Sequence, residues 1–479
     1  MSRFTHLNDW LSWLETLHPK AIDLGLQRVY TVACALDLLI SASPVSHEFS
    51  GAFKPQEGKS SPTVITVAGT NGKGSCVAVL EQILTNSSNT SPADQAVDVN
   101  FVGSYTSPHL HHFCERIRID MQPVSEALVC DAFAAIDAAR GELSLTYFEF
   151  GTLAALWIFA QKNIPVIVLE VGLGGRLDAV NIVDADIAIV TSIDIDHEEW
   201  LGTDRNIISQ EKLGIARARR PLIISETNLT PALILAANNV NSLLIDRDFF
   251  IRLHGDIQTV VKDEVVHSKE SSNSTQANYW QFQYKDLACV LPLPSLPLPS
   301  VAAAFVALDL LKIMPTQEHL TALMQKLTLT GRFQKAIVSN NCVIYDVAHN
   351  PAAAIYLARR LLQEPANNRG KTLAVMAVMS DKDHDAILKP LLTVIDHWYL
   401  GDLTNLPRAA RAQDLSVLLR RHQCSYDIES TIENAFHKAS SVAGEHDRII
   451  VFGSFYTVAA IQSLVDHELV GGRIRGRTS

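Results

Sequence analysis

Along the chain, short apolar runs alternate with longer stretches whose apolar residues recur every three or four positions. Thr63–Ala68 (TVITVA) is a β-branched run with the pattern of a buried strand. A glycine-rich turn, Gly69–Gly74, follows it. Ser75–Leu84 then sets Val77, Leu80 and Leu84 on one helical stripe. Asn100–Tyr105, Val166–Val171, Ile187–Thr191 and Leu222–Ser225 read as further strands, with helical patterns at Phe148–Gln161 and Asn206–Ala216. The rhythm resumes late in the chain. Val343–Val347, Leu373–Val378 and Arg448–Phe452 read as strands, Ala353–Leu362 and Ser416–Arg421 as helices. Strand alternating with helix predicts an α/β fold with a largely parallel sheet, which takes ligands at the carboxyl ends of its strands.

Two polar stretches, Asn86–Asp98 and Ser268–Asn278, read as exposed loops. Leu291–Ser300 (LPLPSLPLPS) carries four prolines, the composition of a stiff, extended connector. The main domain boundary is placed there, giving domains 1–296 and 297–479; a proline-rich surface loop inside one domain is the plainer reading of the same stretch.

Composition narrows the class. The 479 residues suit two or three domains. With 47% hydrophobic and 19% charged residues, the chain has ample apolar surface to bury. Its formal net charge of -11 argues against a dedicated nucleic-acid binder. None of the seven cysteines forms a C-x-x-C pair, so neither a zinc site nor a redox couple is indicated, and reduced thiols are expected. Met1–Pro19 lacks the basic start and apolar run of a signal peptide. No apolar stretch reaches the roughly 20 residues that span a bilayer. The expected address is the cytoplasm, with no membrane partner.

The most informative segment is Val64–Ser75 (VITVAGTNGKGS), in which a strand enters Gly69, Gly72 and Gly74 with Lys73 among them. Glycines let backbone N–H groups curl around phosphate oxygens, and a helix start adds partial positive charge. Lys73 supplies a full charge. The strict pattern G-x-x-x-x-G-K-[ST] is not met, because Gly74 stands between Lys73 and Ser75. That departure counts against common phosphate-loop kinases and GTPases.

GTNGKGS resembles the loop of Mur-type amide ligases. SYTSPHL (104–110), TYFEFG (146–151), LEVGLGGRLDAVN (169–181), TSIDIDHEEWLG (191–202), EKLGI (211–215), GRFQ (331–334) and DVAHNP (346–351) resemble the folate branch of that superfamily, in its order. IDLGLQRV (22–29) and VFGSFYTV (451–458) extend the likeness over nearly the whole chain. The chain is thereby identified as a member of the dihydrofolate and folylpolyglutamate synthase branch. The resemblance implies an N-terminal ATPase domain, which also takes the pterin or folate, and a smaller Rossmann-like domain that completes the ATP site and binds glutamate. It implies ATP, two Mg²⁺ ions, and L-glutamate joined to dihydropteroate or a reduced folate through an acyl phosphate. A monomer is the family expectation.

The same resemblance assigns roles to residues. Thr70, Asn71, Gly72, Lys73, Gly74 and Ser75 hold ATP, joined by Arg332 and Asp346 from the second domain. Ser107 and Glu170 serve one Mg²⁺, and His197 with Glu170 the other. Lys212 matches a lysine that the family carbamylates, which would turn an ammonium into an anion. Lys73, Glu170, His197 and Lys212 are the catalytic set. Where the family commonly opens the first helix of the second domain with an ATP-contacting Asn, this chain has Ser300, a shorter side chain able to cap a helix. Thr16, Leu17, His18 and Pro19, with Thr146, Tyr147, Phe148 and Glu149 and with Leu177, Asp178 and Ala179, match segments that hold the pteroate part in bifunctional members. Taken one at a time, these residues have ordinary readings. Ser107 before Pro108 can start a turn, Glu170 can be a paired structural carboxylate, and His197 a solvated loop histidine. Lys212 can be a helix-surface lysine, and Tyr147 and Phe148 plain core aromatics.

Alternatives of other classes fit less well. About 60 residues precede the phosphate loop, too few for the UDP-binding domain of a peptidoglycan amino-acid ligase. The displaced Lys-Gly-Ser spacing disfavours a small-molecule kinase. A nucleotide-binding regulator would not need both metal sites.

Overall fold

A computed structural model describes residues 2–41, 48–87, 101–239, 241–254, 279–367, 370–404, 406–470 and 476–478. Most of the expected polar loop at 86–98, and all of that at 268–278, lie outside the described residues. The chain divides into two compact units, one of residues 1–107 with 114–327, the other of residues 108–113 with 328–479.

Among the described residues of the first unit, the main sheet has eight strands. Their order is Ser242–Leu244, Leu222–Ile224, Ile187–Val190, Thr63–Ala68, Val166–Glu170, Val102–Tyr105, Ile117–Ile119 and Gln122–Pro123. The first six run parallel and the last two close the edge antiparallel. Thr63–Ala68 lies between two strands that come much later in sequence, so it is a topological switch point, and its carboxyl end is where a ligand crevice opens. Its burial explains the unbroken apolar run: Val64, Ile65, Val67 and Ala68 are all inside. The helix Lys73–Ser87 covers one face with Val77, Leu80 and Leu84 fully buried, as the stripe predicts.

The proline-rich stretch is not one connector. Pro292 ends the strand Leu287–Pro292 of a three-stranded antiparallel sheet, and Leu298 already starts the helix Leu298–Leu310. Pro299 sits in that helix's first turn, where its missing N–H is harmless. The helix is apolar all round and packs on Lys73–Ser87, inside the first unit. The units therefore part at Leu327/Thr328, some thirty residues beyond the expected 296/297, because a wholly buried helix stays with the core that buries it.

The second unit is also α/β. Its sheet has the order Tyr426–Glu429, His397–Gly401, Thr372–Met376, Arg448–Phe452, Asn341–Asp346, Gln334–Val338 and Gly476–Thr478, the first five parallel. An apolar cluster fills each face: Leu357, Leu388, Trp398 and Leu415 on one, Tyr345, Phe436, Ile461 and Val465 on the other. Helix ends differ from expectation where caps decide them. Helix Arg205–Leu213 stops before Ala216 because Gly214 caps it, its N–H reaching back to Gln210 O. No helix among the described residues is long and apolar enough to cross a membrane.

Candidate active site

Four parallel strands deliver the site to one edge of the first unit. Thr63–Ala68 runs into the glycine loop, Val166–Glu170 ends on Glu170, Ile187–Val190 opens into Thr191–His197, and Val102–Tyr105 leads to Ser107. The loop is held from beside it. Thr70 N donates to Ser192 O (2.7 Å), Asn71 N to Ser192 Oγ (2.9 Å), and Thr191 Oγ1 to Asn71 O (2.7 Å). Thr70 Oγ1 and Asp194 exchange backbone bonds at 3.0 and 2.9 Å. These anchors fix the loop's curvature. Gly69 has no alternative, since a Cβ there would run into the Thr191 hydroxyl. Gly72, at φ +85°, would strain any side chain and would press it on the Ser300 hydroxyl.

Ser300 thus stands against the phosphate loop, but from the first unit and not from the second as expected. Nor does it cap its helix, which begins at Leu298 after Pro297; Ser300 lies inside the first turn and is buried. Lys73 Nζ donates to Gly69 O (3.0 Å) and Thr70 O (3.3 Å), so its charge lies over the loop. Among the described residues Ser75 Oγ is buried with no hydrogen-bond partner. A buried, unsatisfied hydroxyl in the first turn of a helix, behind a glycine loop, is what an oxyanion or a hydrated cation would satisfy.

Glu170 is buried and accepts from Ser107 N at 3.1 Å, so two of the expected metal residues touch. His197 is held at φ 54° and ψ 43°, left-handed for a non-glycine residue, and precedes the short helix Glu198–Leu201. Among the described residues no cluster of three His, Cys, Asp or Glu side chains forms a closed metal cage. Carboxylate and hydroxyl oxygens such as those of Glu170 and Ser75 nevertheless suit Mg²⁺, which keeps waters and phosphate oxygens as its other ligands. With the unsatisfied Ser75 hydroxyl, the residues present fit that ion.

Lys212 is not a surface lysine: it is buried in helix Arg205–Leu213. Burial pushes its amine down to about 7, and the nearby Lys73 charge pushes the same way, against Asp196 and Asp178. Gly175 makes room for the Lys212 helix, since a Cβ there would lie 2.7 Å from Glu211 O. Arg176 ties the two segments through Glu211 Oε1 (2.8 Å), and Asn181 Nδ2 bridges Arg176 O and Gly214 O at 2.9 and 3.1 Å. Asp178 is buried and its carboxyl rises to about 7. Desolvation dominates, opposed by the N–H groups of Leu173, Val180 and Gly172 and by Lys73. Lys73, Asp178, Asp196 and Lys212 therefore share one electrostatic neighbourhood.

The expected acceptor segments also meet. Ser144 Oγ donates to Leu17 O (3.0 Å), joining Thr16–Pro19 to the start of helix Tyr147–Lys162. Thr146 and Glu149 form a capping box there, with Glu149 N donating to Thr146 Oγ1 (3.2 Å) and Thr146 N to Glu149 Oε2 (2.7 Å). Phe148 packs over Gly172, where a Cβ would lie 2.7 Å from the ring, and beside Tyr105 (5.9 Å). Arg116 lies over the Tyr147 ring at 5.4 Å. Both rings are half-buried, as is Leu177, while Ala179 is buried. Thr16 and Pro19 are exposed, and the Thr16 hydroxyl is occupied by Trp13 O. His18 lies 3.6 Å from Asp23.

In the second unit, Arg332 covers the Phe455 ring at 5.0 Å. Asp346 is buried, accepts from Phe333 N and Ala348 N (2.8 Å each), and has its carboxyl raised by desolvation against Arg332. Asn350 caps helix Pro351–Gln363 through Ala353 N (3.0 Å). Reading the sequence overlooks Thr191, Ser192 and Asp194, which pin the loop, and Asp196, which faces Lys212. The one available signal is their place directly after a strand in TSIDID.

An ATP-dependent ligase of the Mur type is the class that this fold and loop define. Residues 331–455 match the family model described as Mur ligase, glutamate ligase domain. The chain is 39% identical, over 98% of its length and 97% of the relative's, to the dihydrofolate synthase/folylpolyglutamate synthase of Escherichia coli strain K12. It superposes on Escherichia coli FolC in complex with DHPP and ADP with a TM-score of 0.80 at 38% identity, covering 98% and 100% of the two chains. A bifunctional folylpolyglutamate synthase/dihydrofolate synthase with Mn, AMPPNP and L-glutamate bound gives 0.78 at 37%, over 97% and 99%. The chain belongs to the dihydrofolate synthase/folylpolyglutamate synthase family.

Proposed function

We propose that this protein is an ATP-dependent amide ligase that adds L-glutamate to dihydropteroate and to reduced folates. The observation that carries this reading is the displaced glycine loop with Lys73, set at a switch point beside buried Glu170 and Lys212. The acceptor carboxylate attacks the γ-phosphorus of ATP, ADP leaves, and an acyl phosphate forms. The amino group of glutamate then attacks the acyl carbon, losing a proton, and phosphate leaves with the electron pair of the C–O bond.

The loop N–H groups and Lys73 cradle the phosphates, and Ser75 and Ser300 line the same loop. Two Mg²⁺ ions, when bound, neutralise phosphate charge; Ser107 and Glu170 would hold one, and His197 with Glu170 the other. An amine poised near neutrality, as in Lys212, has the neutral form that takes up carbon dioxide, which supports carbamylation. Arg332 and Asp346 of the second unit contact ATP, and that unit binds glutamate. Thr16–Pro19, Thr146–Glu149 and Leu177–Ala179 hold the pteroate part. The enzyme works as a cytoplasmic monomer.

The test is ADP release with ATP, Mg²⁺ and L-glutamate, comparing dihydropteroate with tetrahydrofolate, with mass spectrometry of the products. One added glutamate on each acceptor is expected. Gain on tetrahydrofolate alone would leave a polyglutamylating enzyme only, and turnover with neither acceptor modified would discard the folate reading.

A further inference from the structure

Arg28 lies in none of the segments that hold nucleotide, metal or acceptor, yet it sits between two of the acceptor segments. It starts no ordinary surface pair. Nη1 donates to Asp23 Oδ2 and Nη2 to Asp23 O, both at 2.7 Å, so the guanidinium grips side chain and backbone of the turn that follows Thr16–Pro19. The same Nη2 stands 3.0 Å from Glu149 Oε1. Glu149 is almost wholly buried, and its other oxygen accepts from Thr146 N in the capping box. On the far side, Asp23 is 3.6 Å from His18 and 3.1 Å from Lys20. A chain of polar side chains, His18–Asp23–Arg28–Glu149, thus spans from the TLHP segment to the helix start that carries Tyr147 and Phe148. The bond from Ser144 to Leu17 runs alongside it. Among the described residues Arg28 Nε is buried with no hydrogen-bond partner, so the two terminal nitrogens make the guanidinium's contacts.

We propose that Arg28 is a positioning residue for the acceptor. It sets the distance between Thr16–Pro19 and Thr146–Glu149, and so the width of the space in which the heterocycle of the acceptor lies. This rests on the reading of those segments as the pteroate-holding ones. The fork geometry matters, because only a planar guanidinium reaches a carboxylate, a carbonyl and a second carboxylate at once. A lysine keeps the charge beside Glu149 but cannot span all three.

The experiment is steady-state kinetics of the full chain, measuring KM for dihydropteroate, KM for ATP and kcat, with thermal melting of each variant. For Arg28→Ala, KM for dihydropteroate is expected to rise at least tenfold, with kcat within threefold and KM for ATP within twofold. Arg28→Lys is expected to recover only part of that rise. Asp23→Asn, which leaves the Arg28–Glu149 pair in place, is expected to move KM in the same direction by a smaller factor. It also keeps the test alive if Arg28→Ala does not fold. An unchanged KM for dihydropteroate in folded variants would overturn the positioning role, as would equal changes in KM for ATP. If the unaltered protein shows no dihydropteroate-dependent ADP release, the reading of the site fails and this proposal fails with it.

Discussion

At the residue scale the site is governed by charges held in a poorly solvated place. Lys73 holds its ammonium over the glycine loop; on the proposed role beside the phosphates, Lys73→Ala is expected to lower kcat by about 10²–10³-fold with substrate saturating. Wild-type-like turnover would contradict the assignment. His197 occupies a left-handed backbone position directly after Asp196. His197→Ala is expected to lose activity that high Mg²⁺ partly restores, and an unaltered Mg²⁺ dependence would speak against a ligand role. Lys212 gives a pH signature. In the fold, burial pushes its ammonium down to about 7; in the unfolded chain it keeps the ordinary lysine value of 10.5. Between those values the unfolded chain binds more protons, so stability rises with pH, and below pH 7 the full penalty of the buried charge remains. Lys212→Met removes that penalty. Its melting temperature in carbon-dioxide-free buffer is expected to exceed the parent's at pH 6.5, with the difference shrinking towards pH 10, while turnover is lost. A pH-independent difference would place the lysine in water.

At the element scale, short caps and tight loops translate sequence into position. The helix Tyr147–Lys162 starts where the Thr146–Glu149 capping box lets it, and that start aims Tyr147 and Phe148. Thr146→Ala is expected to destabilise by about 0.5–2 kcal/mol in chemical denaturation, the usual worth of such a cap. The glycine loop is more demanding. Gly69→Ala forces a methyl group into the Thr191 hydroxyl, which also holds the loop by donating to Asn71 O. A loss of about 1–3 kcal/mol with weakened nucleotide binding is expected, read by denaturation and by ADP titration. Thr191→Ala in the same chain should relieve the collision but not the lost anchor.

At the scale of the whole molecule, the helix Leu298–Leu310 decides where one unit ends. It buries Val301, Phe305, Val306 and Leu308 within the first unit. A fragment ending at Leu296 strips that cover from helix Lys73–Ser87, so cooperative unfolding is expected for residues 1–327 and not for 1–296, tested by urea melts of both. The sequence by itself determined the α/β rhythm, the loop strand–Gly–Lys–helix, and the carboxyl-end placement of Glu170 and His197, because these depend on periodicity and local steric rules. It also carried the family likeness, in motifs a few residues long. Only the tertiary structure decided that the proline stretch is strand, turn and helix and not a linker, since the partner that buries Leu298–Leu310 lies more than 200 residues away. Only it revealed that Lys212 is buried in the electrostatic neighbourhood of Lys73, Asp178 and Asp196, and that Arg28 links Asp23 to Glu149. Burial and charge pairing are sums over neighbours in space, and one-dimensional spacing does not contain them.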